Sequence, residues 1–104
     1  MLLKSYILIK DWVDTGHAVN SCLHAGYLMS LKWNKDDPVI AEWLNTSFRK
    51  VTCVVSEQTF EAAKKQADDW FVVTELAFDK QEVVLVFKPR LEWSKFFKFL
   101  QLFK

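Results

Sequence analysis

The stretch Lys4-Ser5-Tyr6-Ile7-Leu8-Ile9-Lys10, with the polar turn over 11–16 and the helical pattern over 16–33 that follow it, decides the fold. The centre of the first segment is apolar without alternation, which predicts a strand covered on both faces. Ala18, Cys22, Ala25 and Met29 then recur at helical spacing, and such small side chains let a helix lie close to a sheet. Thr15 is the expected N-cap of that helix. A strand that leads into a helix in this way opens an α/β arrangement.

The pattern continues downstream. Residues 34–37 break the helix. Pro38 fits the first turn of a new one over 39–44, with Asp37 as its cap. The β-branched run 49–55 predicts a second strand. Ser56 caps a third helix, whose buried face would carry Phe60, Ala63, Ala67 and Trp70. Residues 71–76 and 82–87 read as strands, and the short turn between them suits an antiparallel hairpin. Pro89 stops the fourth strand, and 92–99 predicts a final helix. The order β-α-α-β-α-β-β-α describes an α/β fold, a four-stranded mixed sheet flanked by helices.

Length allows one domain, residues 1–104, and no second core. A chain that is 51% hydrophobic and 26% charged has enough apolar surface to offset its conformational entropy, so disorder is excluded. The 15% aromatic content, with five Trp and nine Phe, points to an aromatic core or binding surface. Cys22 and Cys53 form no disulfide framework and are expected as buried, reduced thiols of a cytosolic protein. The N-terminal segment has neither a basic leader nor a small-residue cleavage site, so no signal peptide is expected. No apolar run approaches the ~20 residues of a membrane span, so no membrane insertion is expected either.

Net charge is +1, but it is uneven. Lys88, Arg90, Lys95, Lys98 and Lys104 against Glu92 give the last seventeen residues +4, which leaves −3 for the rest. Such a tail is either the solvated face of a terminal helix or a site for an anionic partner. Trp93, Phe96, Phe97, Leu100 and Phe103 in the same region are expected to pack into the core, with a membrane or partner face as the alternative.

Two glycines rule out a glycine-rich phosphate loop, and no Cys/His cluster has metal spacing. His17 and His24 share one helix face about 10.5 Å apart at 1.5 Å per residue, too far to chelate one ion. With Asn20 between them they form a polar stripe. It is either a solvated face or a site at the head of a helix that follows a strand, where open α/β sheets bind ligands. In the first helical turn, the helix dipole would keep His17 neutral and available as a base. Thr74 and Glu75 close the third strand. Arg49 and Lys50 open the second, where they either contact phosphate or blunt an edge.

The segment Gly16-His17-Ala18-Val19-Asn20-Ser21-Cys22-Leu23-His24-Ala25 resembles the first helix of the type 2 peptidyl-tRNA hydrolases, with Cys22, His24 and Ala25 on the motif. Arg49-Lys50-Val51, the acidic helix from Glu57 to Ala67 and the tail from Phe99 to Lys104 resemble a divergent branch of that family. The likeness runs over nearly the whole chain and rests on the order and spacing of short motifs. It implies a metal-independent protein, often a dimer, that cleaves the ester between a peptide and the terminal ribose of tRNA. The family's catalytic Lys at the head of the first helix is replaced here by His17. Its Asp and Thr after the third strand give way to Thr74-Glu75-Leu76.

On that resemblance His17 would activate water and Glu75, beside Thr74, would orient it. Lys10 or a helix N-terminal amide would receive the oxyanion. Asn20, Cys22 and His24 would line the substrate site, and Arg49, Lys50, Lys88, Arg90 and Lys95 would meet tRNA phosphates. Two alternatives stand beside this one. The first is a silent member that binds tRNA or a protein partner. The second is an unrelated domain that rests on a membrane surface through its basic aromatic tail.

Overall fold

A computed structural model describes residues 2–104. The elements are β1 (Lys4–Lys10), α1 (Thr15–Lys32), α2 (Pro38–Asn45), β2 (Arg49–Val55), α3 (Glu57–Ala63), β3 (Trp70–Glu75), a 3-10 turn (Leu76–Phe78), β4 (Gln81–Phe87), α4 (Lys95–Lys98) and β5 (Gln101–Leu102). The sheet has five strands rather than four, in the order β3-β4-β1-β2-β5. β1 and β2 are parallel and in register from Lys4 opposite Arg49 to Lys10 opposite Val55. β4 runs antiparallel to both β1 and β3, so β3 points the same way as β1.

The uninterrupted apolar centre of β1 is explained by its central place. Ile7 and Ile9 face a core shared with Ala18, Ala25, Met29 and Trp33 of the α1 side. Where length suggested a single core, the sheet separates two, and Tyr6 and Leu8 face the second with Phe60, Ala63, Trp93 and Phe97. β4 divides likewise, with Val84 and Val86 on one face and Leu85 and Phe87 on the other. Each such fully buried side chain contributes about 1.5–3 kcal/mol, so the two cores together dominate stability.

Caps follow local chemistry, with one shift. The α1 N-cap is Asp14, not Thr15, because its carboxylate accepts from the His17 backbone N–H and faces the positive helix end. Asp37 and Ser56 cap α2 and α3. The expected third helix stops early, at Ala63. Asp69 takes a positive φ of 58° and Trp70 starts β3, its indole N–H donating to the Lys64 carbonyl at 3.1 Å. Ala67 and Trp70 still pack on the α3-side core, but from a turn and a strand.

The C-terminal helix is one turn, 95–98, instead of 92–99. The backbone before it is drawn away, as Arg90 bridges Lys4. The backbone after it forms β5 against Cys53 and Val54. Trp93 and Phe97 are buried with Tyr6 and Phe87 in edge-on or tilted ring contacts of 4.7–5.8 Å, so the aromatic stripe is core. Phe103 is the exception and packs against the α1-side core.

Both cysteines are free thiols; Cys53 is buried, whereas Cys22 is only half-buried. Burial pushes the Cys53 thiol up to about 11 from an ordinary 9.0. The unfolded chain therefore releases this proton first, and stability is full below pH 9 and falls as pH rises toward 11. Urea midpoints followed from pH 8 to 11 should show a loss on the order of 2–3 kcal/mol, and Cys53→Ala should remove most of that slope.

Candidate active site

Because β1 and β3 run in the same direction, their carboxyl ends share one edge of the sheet. β1 ends there at Lys10, and the turn that follows delivers the head of α1. β3 ends there at Glu75 and continues into the 3-10 turn. Residues 54 positions apart in sequence thereby meet.

Two contacts organise the edge. His17 Nδ1 lies 2.7 Å from Asp14 Oδ1. An ionised carboxylate only accepts, so Nδ1 carries the hydrogen, and in the neutral ring Nε2 is the nitrogen with the lone pair. The same hydrogen bond holds the Asp14 carboxyl below its ordinary range. The His17 ring is 43% exposed and packs on Phe78 at 4.9 Å, and Phe78 in turn meets Trp12 edge-on at 5.1 Å. In the second contact, Ser21 Oγ donates to Glu75 Oε2 at 2.8 Å. His24 Nε2 stands 3.8 Å from the same oxygen. The Glu75 side chain is only 13% exposed and Ser21 is fully buried, so this carboxylate is held in place.

The structure brings Glu75 to His24 directly, and to Ser21, which the sequence reading passed over. His17 contacts Asp14 and Phe78 instead of Glu75. Asn20 is exposed on α1 and makes no side-chain hydrogen bond among the described residues. Thr74 is exposed and lines an open cleft of about 430 Å³ with Leu23, His24 and Tyr27. Cys22 belongs to the α1-side core, not to the polar face.

Lys10 is not a free oxyanion donor. It is buried, its ammonium is 3.1 Å from Glu57 Oε2, and it lies 4.7 Å from the Phe60 ring centre. The basic residues are also displaced from this edge. Arg49 and Lys50 begin β2, opposite Lys4 and Ser5, and Arg90 bridges Lys4, so they mark the other end of the sheet. Seven residues of β1 put about 20 Å between the two ends at ~3.3 Å per residue. Lys88 follows β4 at that same far end and is neutralised by Asp37 at 2.8 Å. Arg90 stacks on Trp93 at 5.6 Å, and Lys95 is exposed on α4.

Two signals in the sequence could have found the missing partners. Ser21 occupies a position of the small apolar stripe, three after Ala18 and four before Ala25, and a polar group there requires a partner. Asp14 precedes His17 by three at a helix start, the spacing at which a cap reaches into the first turn.

Among the described residues, no three His, Cys, Asp or Glu side chains are placed to hold a metal ion, and no helix is long and apolar enough to cross a membrane. No family model matches the chain, and no curated protein matches it.

A double-mutant cycle in urea tests the buried contact. Ser21→Ala alone should cost about 1–3 kcal/mol, because it strips a nearly buried carboxylate of its donor. Ser21→Ala with Glu75→Ala should cost less than the sum of the single changes by about 1 kcal/mol or more.

Proposed function

We propose that this chain is a cytosolic hydrolase of the ester that joins a peptide to the terminal ribose of tRNA. The observation that carries the reading is the Asp14–His17 contact, a positioned base at the head of a helix on the carboxyl edge of the sheet. His17 Nε2 takes a proton from water as its oxygen bonds to the ester carbonyl carbon. The bond from that carbon to the ribose oxygen then breaks, and the imidazolium returns the proton to the departing oxygen. The products are a peptide acid and a tRNA with its hydroxyl restored. Asp14 holds the ring and offsets the transient imidazolium charge. With Lys10 committed to Glu57, the backbone N–H groups of Thr15 and Gly16 are the donors for the oxyanion, since first-turn amides have no acceptor inside a helix. Glu75, fixed by Ser21 and near His24, orients water or the substrate amine.

The tRNA backbone would run from this edge toward Arg49, Arg90 and Lys95, about 20 Å away. That separation also favours a second reading, in which the chain binds tRNA without cleaving it. Single-turnover release of a labelled peptide from peptidyl-tRNA separates the two. Cleavage should fall about 10²–10⁴-fold in His17→Ala while filter binding is retained. Arg49→Ala or Arg90→Ala should flatten the salt slope of binding by roughly 0.7–0.9 per lost contact. Full activity in His17→Ala removes the base. Binding without cleavage in the unaltered chain selects the second reading.

A second copy of the chain is the protein partner most compatible with the surface. Val19, Leu23 and Tyr27 recur every fourth residue on α1 and are all more than half exposed, an apolar stripe a neighbouring helix would cover. Sedimentation should show a dimer, and Leu23→Glu a monomer.

A further inference from the structure

A second cavity lies away from the His17 edge, between the C-terminal half of α1, α2 and the start of β2. It encloses about 690 Å³, within the range of small-molecule sites. Its walls are chiefly apolar, from Met29, Trp33, Ile40, Trp43, Leu44 and Phe48. We propose that this cavity binds an amphiphilic monoanion, a single acyl chain ending in a carboxylate.

Three observations specify that ligand. The first is charge. The charged residues of the lining are Lys32, Lys35 and Lys50, with no carboxylate among them, and none of the three forms an ion pair among the described residues. Lys50 Nζ instead sits 3.2 Å from the Phe48 ring centre and 5.3 Å from that of Trp43. The contact leaves N–H donors for an anion, and partial desolvation of the ammonium lowers its pKa from the ordinary value. The second is an idle donor. Trp12, Trp43, Trp70 and Trp93 each donate their indole N–H. Trp33 lines the cavity and is only 8% exposed, yet its N–H meets no acceptor among the described residues. No fully buried side-chain polar atom among the described residues lacks a partner, so this N–H is open to solvent and free to donate to a ligand carboxylate.

The third is kept space. Gly26 lies inside α1 without a positive φ, and a Cβ there would meet nothing within 4 Å. Glycine in a helix interior costs about 1 kcal/mol relative to alanine, and neither backbone nor packing requires it here. Gly26 is exposed and borders the cavity, so the missing side chain keeps space free at its mouth. Phe48, at the rim, holds a positive φ of 48° while half exposed, a conformation costly for an aromatic residue and typical of ligand clamps. Apolar walls take the chain, and Lys50 with the Trp33 N–H takes the head. A cationic head finds only like charge.

Isothermal titration of the full chain with decanoate, decanol and decyltrimethylammonium tests the assignment. Decanoate should bind one to one below its micelle concentration. Decanol should bind about tenfold more weakly, and the cation not at all. Gly26→Leu places a side chain across the mouth and should weaken decanoate roughly tenfold or more, while its better helix propensity keeps the chain folded. Lys50→Met should weaken decanoate about as much as loss of the carboxylate does, and leave decanol unchanged. No saturable decanoate binding, equal binding of the cation, or full affinity in Gly26→Leu overturns the proposal. So does sedimentation with anionic phospholipid vesicles by a chain that ignores soluble decanoate, since that marks surface attachment instead. Peptidyl-tRNA cleavage enters none of these readouts.

Discussion

A strand with both faces covered leaves no side for water, and β1 imposes that condition on the rest of the chain. Its N–H and C=O groups are taken up by β2 on one side and β4 on the other. Its side chains alternate between two separate cores. Helices must therefore cover both faces. The parallel pairing with β2 cannot be closed by a tight turn, so α1 and α2 form the crossover that covers one face. α3 and the aromatic C-terminal segment cover the other. Loss of either layer would expose half of the same central strand.

Polar groups inside this arrangement are few, and each is answered. Ser5, fully buried on β1, donates from Oγ to the Phe87 carbonyl at 2.7 Å. Lys10 meets Glu57, and Ser21 meets Glu75. A buried group without such a partner costs about 1–3 kcal/mol, so each of these contacts also fixes the direction of its side chain. Among the described residues, no fully buried side-chain polar atom lacks a partner. The Trp33 N–H is different in kind. It belongs to a buried residue, but the N–H itself is not closed off from solvent.

Strand direction then divides the molecule by chemistry. The carboxyl ends of β1 and β3 gather Asp14, His17, Ser21, His24 and Glu75. The amino ends of β1 and β2 gather Lys50, Arg49 and Arg90 around an aromatic cavity and a cationic surface. α1 spans both ends, with a capped, acidic head at Asp14 and a basic last turn at Lys32, the polarity its dipole favours. The histidine–carboxylate cluster and the cationic groups thus sit about 20 Å apart at opposite ends of one sheet.

The sequence by itself determined what short-range chemistry decides. The apolar run Tyr6–Ile9 marked a doubly covered strand. Pro38 behind Asp37 marked a helix start, and the small stripe of α1 marked a helix laid against a sheet. These signals repeat within one or two turns and need no distant partner. The end of α3, the two-residue β5 and the one-turn α4 were not legible. Trp70 continues the periodicity of α3 but is taken into β3 by pairing with Phe87, and β5 exists only through its partners on β2. The site divides in the same way. His17 could be placed at a helix head and Glu75 at a strand end from local pattern. Only the tertiary structure decided that Glu75 answers Ser21 and His24, that Lys10 is spent on Glu57, and that the basic residues face the opposite end. Each of these depends on contacts across 45 or more residues, where strand order and direction, and no local propensity, set which groups meet.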